Sequence, residues 1–250
     1  MSESNRQPDM NRRKLLGATA AGVAAATLAP GVILQTVSAA RAPGEPVTSD
    51  VRWGMLIDTA KCADGCSACV DACVSENSIP SHGRPATDPV WIRKVKLRDT
   101  QTGKLTNMPM MCLHCEFPPC VDVCPTGASF KRADGLVLVD RHTCIGCRYC
   151  MMACPYKARS FIHEDIDSQT VVAPRGKGCV ESCTLCVHRL DQGDISTACA
   201  DACAKEGHEA ILVGDLKDPE SPLAKRLKSY PSREMRADLE LNTGVRYSNV

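Results

Sequence analysis

The 250-residue sequence predicts an α+β fold of short strands and short helices, arranged as two pseudo-symmetric modules. Three observations lead there. Sixteen of the seventeen cysteines fall into four groups of four: Cys62/Cys66/Cys69/Cys73, Cys112/Cys115/Cys120/Cys124, Cys144/Cys147/Cys150/Cys154 and Cys183/Cys186/Cys199/Cys203. In each group three cysteines lead and a fourth follows the third after three intervening residues. Between the second and third groups, β-prone segments flank Asp134-Gly135, a hairpin signal. Only 9 residues are Phe, Trp or Tyr, so large side chains undersupply a core and bound metal is expected to supply cross-links in their place.

The elements follow in chain order. Asn11-Arg12-Arg13-Lys14-Leu15-Leu16 is a twin-arginine signal, with a weakly apolar Ala/Gly-rich stretch from Leu15 to Val37. Small residues Ser38-Ala39-Ala40 offer cleavage after Ala40, with Ala39 and Ala42 as alternatives. Gly17, Gly22, Pro30 and Gly31 interrupt the stretch, which argues against a spanning helix. A strand is expected over Val51–Ile57, a helix from Cys66 to Asn77, a strand over Val90–Leu97 and a turn at Gln101–Lys104. The hairpin pairs Ala128–Arg132 with Leu136–Val139. Ser160–His163 and Ile211–Val213 read as strands, and Ser221–Ser229 as a surface helix. The tail from Pro231 has no hydrophobic span, so no C-terminal membrane anchor is expected. The expected division is a signal at 1–40, an outer module split between 41–105 and 166–222, an inner module at 106–165 inserted within it, and a tail at 223–250.

The cysteine spacing carries the chemistry. Cys144-Ile-Gly-Cys-Arg-Tyr-Cys-Met-Met-Ala-Cys-Pro155 is the bacterial-ferredoxin run, in which three thiolates grip one cubane and the fourth reaches to a second. Four such runs imply four [4Fe–4S] clusters. Zinc favours two Cys-x-x-Cys pairs or Cys/His mixtures, and gives no reason for the repeated fourth cysteine or for Pro125 and Pro155 after it. Run one opens with three spacer residues, Ala63-Asp64-Gly65. Val74 and Ala204 replace the trailing proline in runs one and four, so a [3Fe–4S] cluster in one of the outer pair is the alternative. Cys179, four residues before Cys183, is a second candidate ligand there, and Cys183 is preferred for its regular spacing. His114 and His188 read as structural, and Met110, Met111, Met151 and Met152 as packing around the clusters.

The formal net charge of +1 argues against nucleic-acid binding, and removal of residues 1–40 leaves −1. No nucleophile–base pairing, Gly-rich phosphate loop or paired carboxylate stands out, so no catalytic site is expected. A chain holding four one-electron centres reads as a conduit for electrons. An exported cysteine-rich chain otherwise suggests disulfides or zinc staples, which makes a redox-inactive interaction protein the alternative from another class.

Cys112-Leu-His-Cys-Glu-Phe-Pro-Pro-Cys-Val-Asp-Val-Cys-Pro-Thr-Gly-Ala, Asp134-Gly-Leu-Val-Leu-Val-Asp, and the third run together resemble the four-cluster ferredoxin subunits of the molybdopterin-oxidoreductase electron-transfer family. Cys183-Thr-Leu-Cys-Val-His-Arg and Gly214-Asp-Leu-Lys-Asp-Pro extend the resemblance over residues 51 to about 222. Within the family, the signal and the longer first spacer most resemble the periplasmic DsrO type. That implies a subunit held at the membrane by its partners. They are an NrfD-type quinone-interacting membrane protein and a c-type cytochrome or other redox subunits in sulfur metabolism. A periplasmic molybdopterin reductase of tetrathionate, polysulfide or nitrite-pathway type is the alternative setting. The resemblance also implies crossed ligation: Cys62, Cys66 and Cys69 with Cys203; Cys183, Cys186 and Cys199 with Cys73; Cys112, Cys115 and Cys120 with Cys154; Cys144, Cys147 and Cys150 with Cys124. Lys157 stands where the family usually has Gly.

Overall fold

The computed structural model describes residues 45–166 and 175–250. The twin-arginine segment and its cleavage site lie outside the described residues. Strand β1 (Trp53–Asp58) is the centre of a three-stranded sheet. Its Gly-Met-Leu-Ile run is buried throughout, as expected of a strand with both neighbours occupied and both faces covered. β8 (Ile211–Asp215) pairs with it antiparallel, with Leu56 opposite Leu212. β9 (Val245–Ser248) pairs parallel on the other edge, with Ile57 opposite Tyr247. The segment 223–250, expected as a tail, therefore contributes the third strand. Val245 and Tyr247 are fully buried, and the intervening Arg246 points the other way, as strand alternation requires.

Helix α6 (Pro222–Ser229) packs on β8 and β1. Ser221 caps it by accepting from the Ala224 amide at 3.1 Å, and Pro222 occupies the first turn, where no amide is needed. β2 (Arg93–Arg98) and β3 (Leu105–Met110) form a hairpin. Asp99 closes its turn by accepting from the Gln101 and Thr102 amides. β4 (Ser129–Lys131) and β5 (Val137–Val139) pair across Asp134-Gly135. Gly135 adopts a φ of 86° there, which residues with a Cβ rarely tolerate. β6 (Ser160–Phe161) and β7 (Val180–Glu181) pair over only two residues each.

The helices that carry cysteines obey one rule. α1 (Ala68–Glu76), α2 (Pro119–Asp122), α3 (Tyr149–Ala153) and α5 (Ala198–Lys205) each place the third cysteine of a run at their second residue: Cys69, Cys120, Cys150 and Cys199. Where Pro125 or Pro155 follows the fourth cysteine, the helix stops before that cysteine. The residue ahead of a proline is pushed out of the helical region, and Cys154 is extended at φ −71°, ψ 113°. Where Val74 or Ala204 stands instead, the helix continues through Cys73 or Cys203. The missing proline thus lengthens a helix rather than altering a loop. The two long helices pack on each other, as do the two short ones. A further short helix, α4 (Val187–Asp191), follows Cys186.

The core is built largely around thiols. Eleven cysteines are buried, among Met55, Ile57, Trp91, Ile92, Met108, Met111, Leu113, Leu136, Tyr156 and Tyr247. Met111 packs inside as expected, but Met152 is 65% exposed and does not. No helix among the described residues is long and apolar enough to cross a membrane.

Candidate metal centres

In all four runs the residue just before the second cysteine is left-handed: Gly65 (φ 76°), His114 (45°), Gly146 (70°) and Leu185 (55°). Only two of these are glycine, so the sequence hides the repeat. His114 and Leu185 hold a conformation unusual for residues with a Cβ, and burial at 2% and 1% exposure fixes them there. The extra residue of run one is absorbed by a turn at Asp64-Gly65. Lys96 pairs with Asp64 at 2.6 Å, and Lys94 donates to the Ala63 and Cys66 carbonyls, so β2 clamps that loop. Arg93, on the same strand, donates to the Tyr156 and Lys157 carbonyls just after run three. Lys157 has a φ of 50°, the backbone reason a glycine serves well at this position.

Gly146 is the tightest of these turns. A Cβ there would overlap the Gly178 carbonyl oxygen, in a backbone region already unfavourable to L residues. Gly146→Ala is expected to destabilise run three by at least about 1–3 kcal/mol, read as a lowered thermal midpoint and reduced iron content. Gly83→Ala, with a similar φ and open space around it, is the control for backbone strain without the clash.

The thiols meet across runs. One small cavity is lined by Cys62, Cys66, Cys69 and Cys203, and another by Cys124, Cys144, Cys147 and Cys150. Cys73 and Cys183 face each other and Cys186 and Cys199. Cys115 faces Cys112, Cys120 and Cys154. Each grouping takes three cysteines from one run and the fourth from another. The helix rule explains this. Third and fourth cysteines lie about one turn apart on α1 and α5, so each long helix lends one thiol to each of two neighbouring sites. Cys179 is elsewhere: its thiol donates to the Arg141 carbonyl at 3.2 Å beside Cys144, whereas Cys183 sits with Cys73.

No group of three or more Cys, His, Asp or Glu converges on a single-ion site among the described residues. The Cys62/Cys66/Cys69/Cys203 and Cys124/Cys144/Cys147/Cys150 sets line cavities, the arrangement a cubane needs. All seventeen cysteines are free of disulfides.

Burial dominates the thiol electrostatics. It pushes Cys62 and Cys112 up to about 11 and Cys199 up to about 12, and raises Cys73, Cys115 and Cys183 well above the ordinary thiol range. Neighbouring thiols add to the rise for Cys62, Cys73, Cys115 and Cys183. Without a cation these groups stay protonated at neutral pH, so iron binding must expel their protons. Cys124 goes the other way: burial raises it, but the Ser129 amide at 3.3 Å and the Thr126 side chain more than offset that. The fourth cysteine of every run has such a donor just downstream. Ala158 and Ala210 amides serve Cys154 and Cys203, and the Asn77 side chain serves Cys73. Donors of this kind stabilise thiolate and shift cluster potential.

The site also holds donors that lack an acceptor. Arg159 Nε and Nη1 and His114 Nε2 are buried with no hydrogen-bond partner. His114 Nδ1 accepts from the Val137 amide at 3.0 Å, which puts the ring proton on Nε2. Burial, then the nearby Arg159 charge, lowers His114 to about 4, so it is neutral. Buried orphan donors are rare unless an anion completes them, and a sulfide-rich cluster is such an anion. His188 bonds Glu76 at 2.8 Å, a structural contact.

The sets are connected in space. Tyr156 lies by Cys115 and Cys154, and Tyr247 lies by Cys183, Cys62 and Tyr156, so two buried phenols stand between the inner and outer sites. Their hydroxyls donate to the Met235 and Pro109 carbonyls, both at 3.0 Å. The set with Cys147 reaches the surface: Cys147 is exposed, and Ile145, Tyr149 and Met152 are exposed beside it.

Comparison with known proteins gives the same chemistry. Residues 103–211 and 58–128 each match a 4Fe-4S dicluster domain. Two such domains with sixteen grouped cysteines carry four [4Fe–4S] clusters. The chain is 39% identical to the Hdr-like menaquinol oxidoreductase iron-sulfur subunit 1 of Archaeoglobus fulgidus, over 96% of this chain and 98% of that protein. It is 39% identical to a tetrathionate reductase subunit of Salmonella typhimurium, over 72% of this chain and 64% of that protein. It is 36% identical to NrfC of Escherichia coli, over 73% and 74% respectively. The chain belongs to the 4Fe-4S dicluster family of iron–sulfur subunits of oxidoreductase complexes.

Proposed function

We propose that this chain is an exported, DsrO-like electron-transfer subunit with no catalytic site of its own. It relays electrons between an NrfD-type quinone-interacting membrane subunit and a c-type cytochrome or other redox subunit in sulfur metabolism. The observation that carries the conduit is the grouping of sixteen thiols into four sets that share helices and adjoin one another. The crossed ligand sets are those named above, with residues 41–105 and 166–222 forming an outer module around an inner one at 106–165. Bound clusters supply one-electron transfer; the chain insulates them, sets their spacing and tunes them through N–H donors. The exposed apolar rim around Cys147 suits the end at which a protein partner docks.

The match to a menaquinol oxidoreductase subunit over nearly its whole length favours the quinone-linked setting. The similarity to a subunit of tetrathionate reductase supports a molybdopterin-reductase setting as the second reading. The periplasmic location rests on Arg12-Arg13 and the small residues before Ala40. The deciding experiment is anaerobic purification of the tagged chain from its own membranes. Co-purifying membrane and cytochrome subunits, with a mature N-terminus near Arg41, are the expected result. A molybdenum-containing large subunit selects the second reading. Retention in the cytoplasm with residues 1–40 intact overturns the exported one, and absence of reducible clusters by electron paramagnetic resonance overturns both.

A further inference from the structure

We propose that Arg159 is a tuning cation shared by the two inner centres, and that it raises the potential of both. Arg159 is 5% exposed. Its Nη2 donates to Cys120 Sγ at 3.1 Å, and its charge also faces Cys112 of the same set and Cys150 of the other. Nε and Nη1 have no hydrogen-bond partner, and no carboxylate pairs with it among the described residues.

That isolation sets it apart from Arg189, Arg132 and Arg175. Arg189 faces Cys186 but is spent on Glu76 at 2.6 Å and Asp201 at 2.8 Å. Arg132 is held by Asp134 and Asp191, and Arg175 by Glu181. At the other outer set, Lys94 faces Cys62 and Cys69 but turns its ammonium to the Ala63 and Cys66 carbonyls. Arg159 alone of these puts an uncompensated guanidinium between two metal sites.

The consequence is electrostatic. A buried lone cation is costly unless anions surround it, and a guanidinium does not escape by losing its proton. Each oxidised cubane with its four thiolates carries about −2, which supplies the missing counter-charge. One-electron reduction adds a further negative charge beside the same guanidinium. In a medium of low dielectric that attraction favours the reduced form, so the potential rises. At the Cys73/Cys183/Cys186/Cys199 set the charge of Arg189 is compensated by its ion pairs with Glu76 and Asp201.

The inference rests on the chain holding four reducible clusters, and the test separates the two ideas. Purified wild type, Arg159→Met, Arg159→Gln and Arg159→Lys are titrated against potential and followed by electron paramagnetic resonance, with iron assayed throughout. Cys115→Ala and Cys147→Ala identify the two inner signals by removing them. In the neutral variants both inner midpoints are expected to fall while the outer two stay, and Lys is expected to restore much of the shift. If the neutral variants lose both inner signals and Lys keeps them, the charge requirement also stands. Inner midpoints unchanged in the neutral variants, or all four falling together, overturn the proposal. So does loss of both inner signals from Lys as well as from Met and Gln, the behaviour of a packing residue. A wild type without reducible clusters would instead defeat the electron-transfer reading itself.

Discussion

Replacing Cys154 with alanine will damage the cluster gripped by Cys112, Cys115 and Cys120, and leave Cys144, Cys147 and Cys150 with theirs. Cys154 faces Cys115 and Cys112, and it is not among the residues around the Cys144 cavity, where Cys124 sits instead. The cause is local backbone. Pro155 ends α3 before Cys154 and turns that residue extended, away from the cysteines of its own run. With Cys154 as the proposed fourth ligand of that cluster, the minimal lesion is loss of one iron. The full lesion is loss of the cubane, about a quarter of the chain's iron. Double variants distinguish this from ligation within a run. Cys115→Ala combined with Cys154→Ala should cost no more than one cluster, because both act on the same site, whereas Cys147→Ala combined with Cys154→Ala should cost two. Ligation within runs gives the reverse pattern in iron, sulfide and electron paramagnetic resonance.

The sequence made some of this arrangement legible and hid the rest for identifiable reasons. The strand at Val51–Ile57, the helix at Cys66–Asn77, the Asp134-Gly135 hairpin and the helix from Ser221 were readable because propensity, turn chemistry and capping agree with the final fold. β3 was not readable. Leu105-Thr-Asn-Met-Pro-Met contains a proline and alternates poorly, and its partner β2 defines it more than its own residues do. β9 reads as part of a tail because Val245-Arg-Tyr-Ser is only four residues long; its alternation is the available signal. The left-handed turn before each second cysteine is visible at Gly65 and Gly146 but masked at His114 and Leu185, where packing imposes it on residues that do not prefer it. Arg159 can be named from sequence only as one basic residue among several near the runs. That it is buried and lacks a carboxylate depends on which side chains the fold brings around it, information no local pattern contains.

Stripping the iron will unfold the chain rather than leave an empty scaffold. Four of the helices have nine residues or fewer with cysteines built into their first turns, and α2 and α3 have only four and five. Isolated helices below about 12–15 residues are marginal in water, so these depend on tertiary contacts. The β4–β5 and β6–β7 pairs are three and two residues long and cannot stand alone either. Those contacts run largely through thiols: eleven cysteines are buried, and thiol sets tie residues 62–73 to 183–203. A structural zinc site in a small domain contributes about 10–16 kcal/mol of folding free energy. A whole domain is stable by only about 5–15 kcal/mol. If an iron–sulfur site is even roughly comparable, loss of one exceeds the margin, and the inner pair carries the further penalty of Arg159 left buried without its anions. Anaerobic treatment with an iron chelator and reductant should therefore abolish the near-ultraviolet circular dichroism of the buried Trp91, Tyr156 and Tyr247 in step with iron loss. Recovery should require both iron and sulfide. An iron-free chain that keeps its near-ultraviolet signal and its amide protection in β1 and β9 would show that apolar packing alone suffices, and would remove the clusters from the forces that hold this fold.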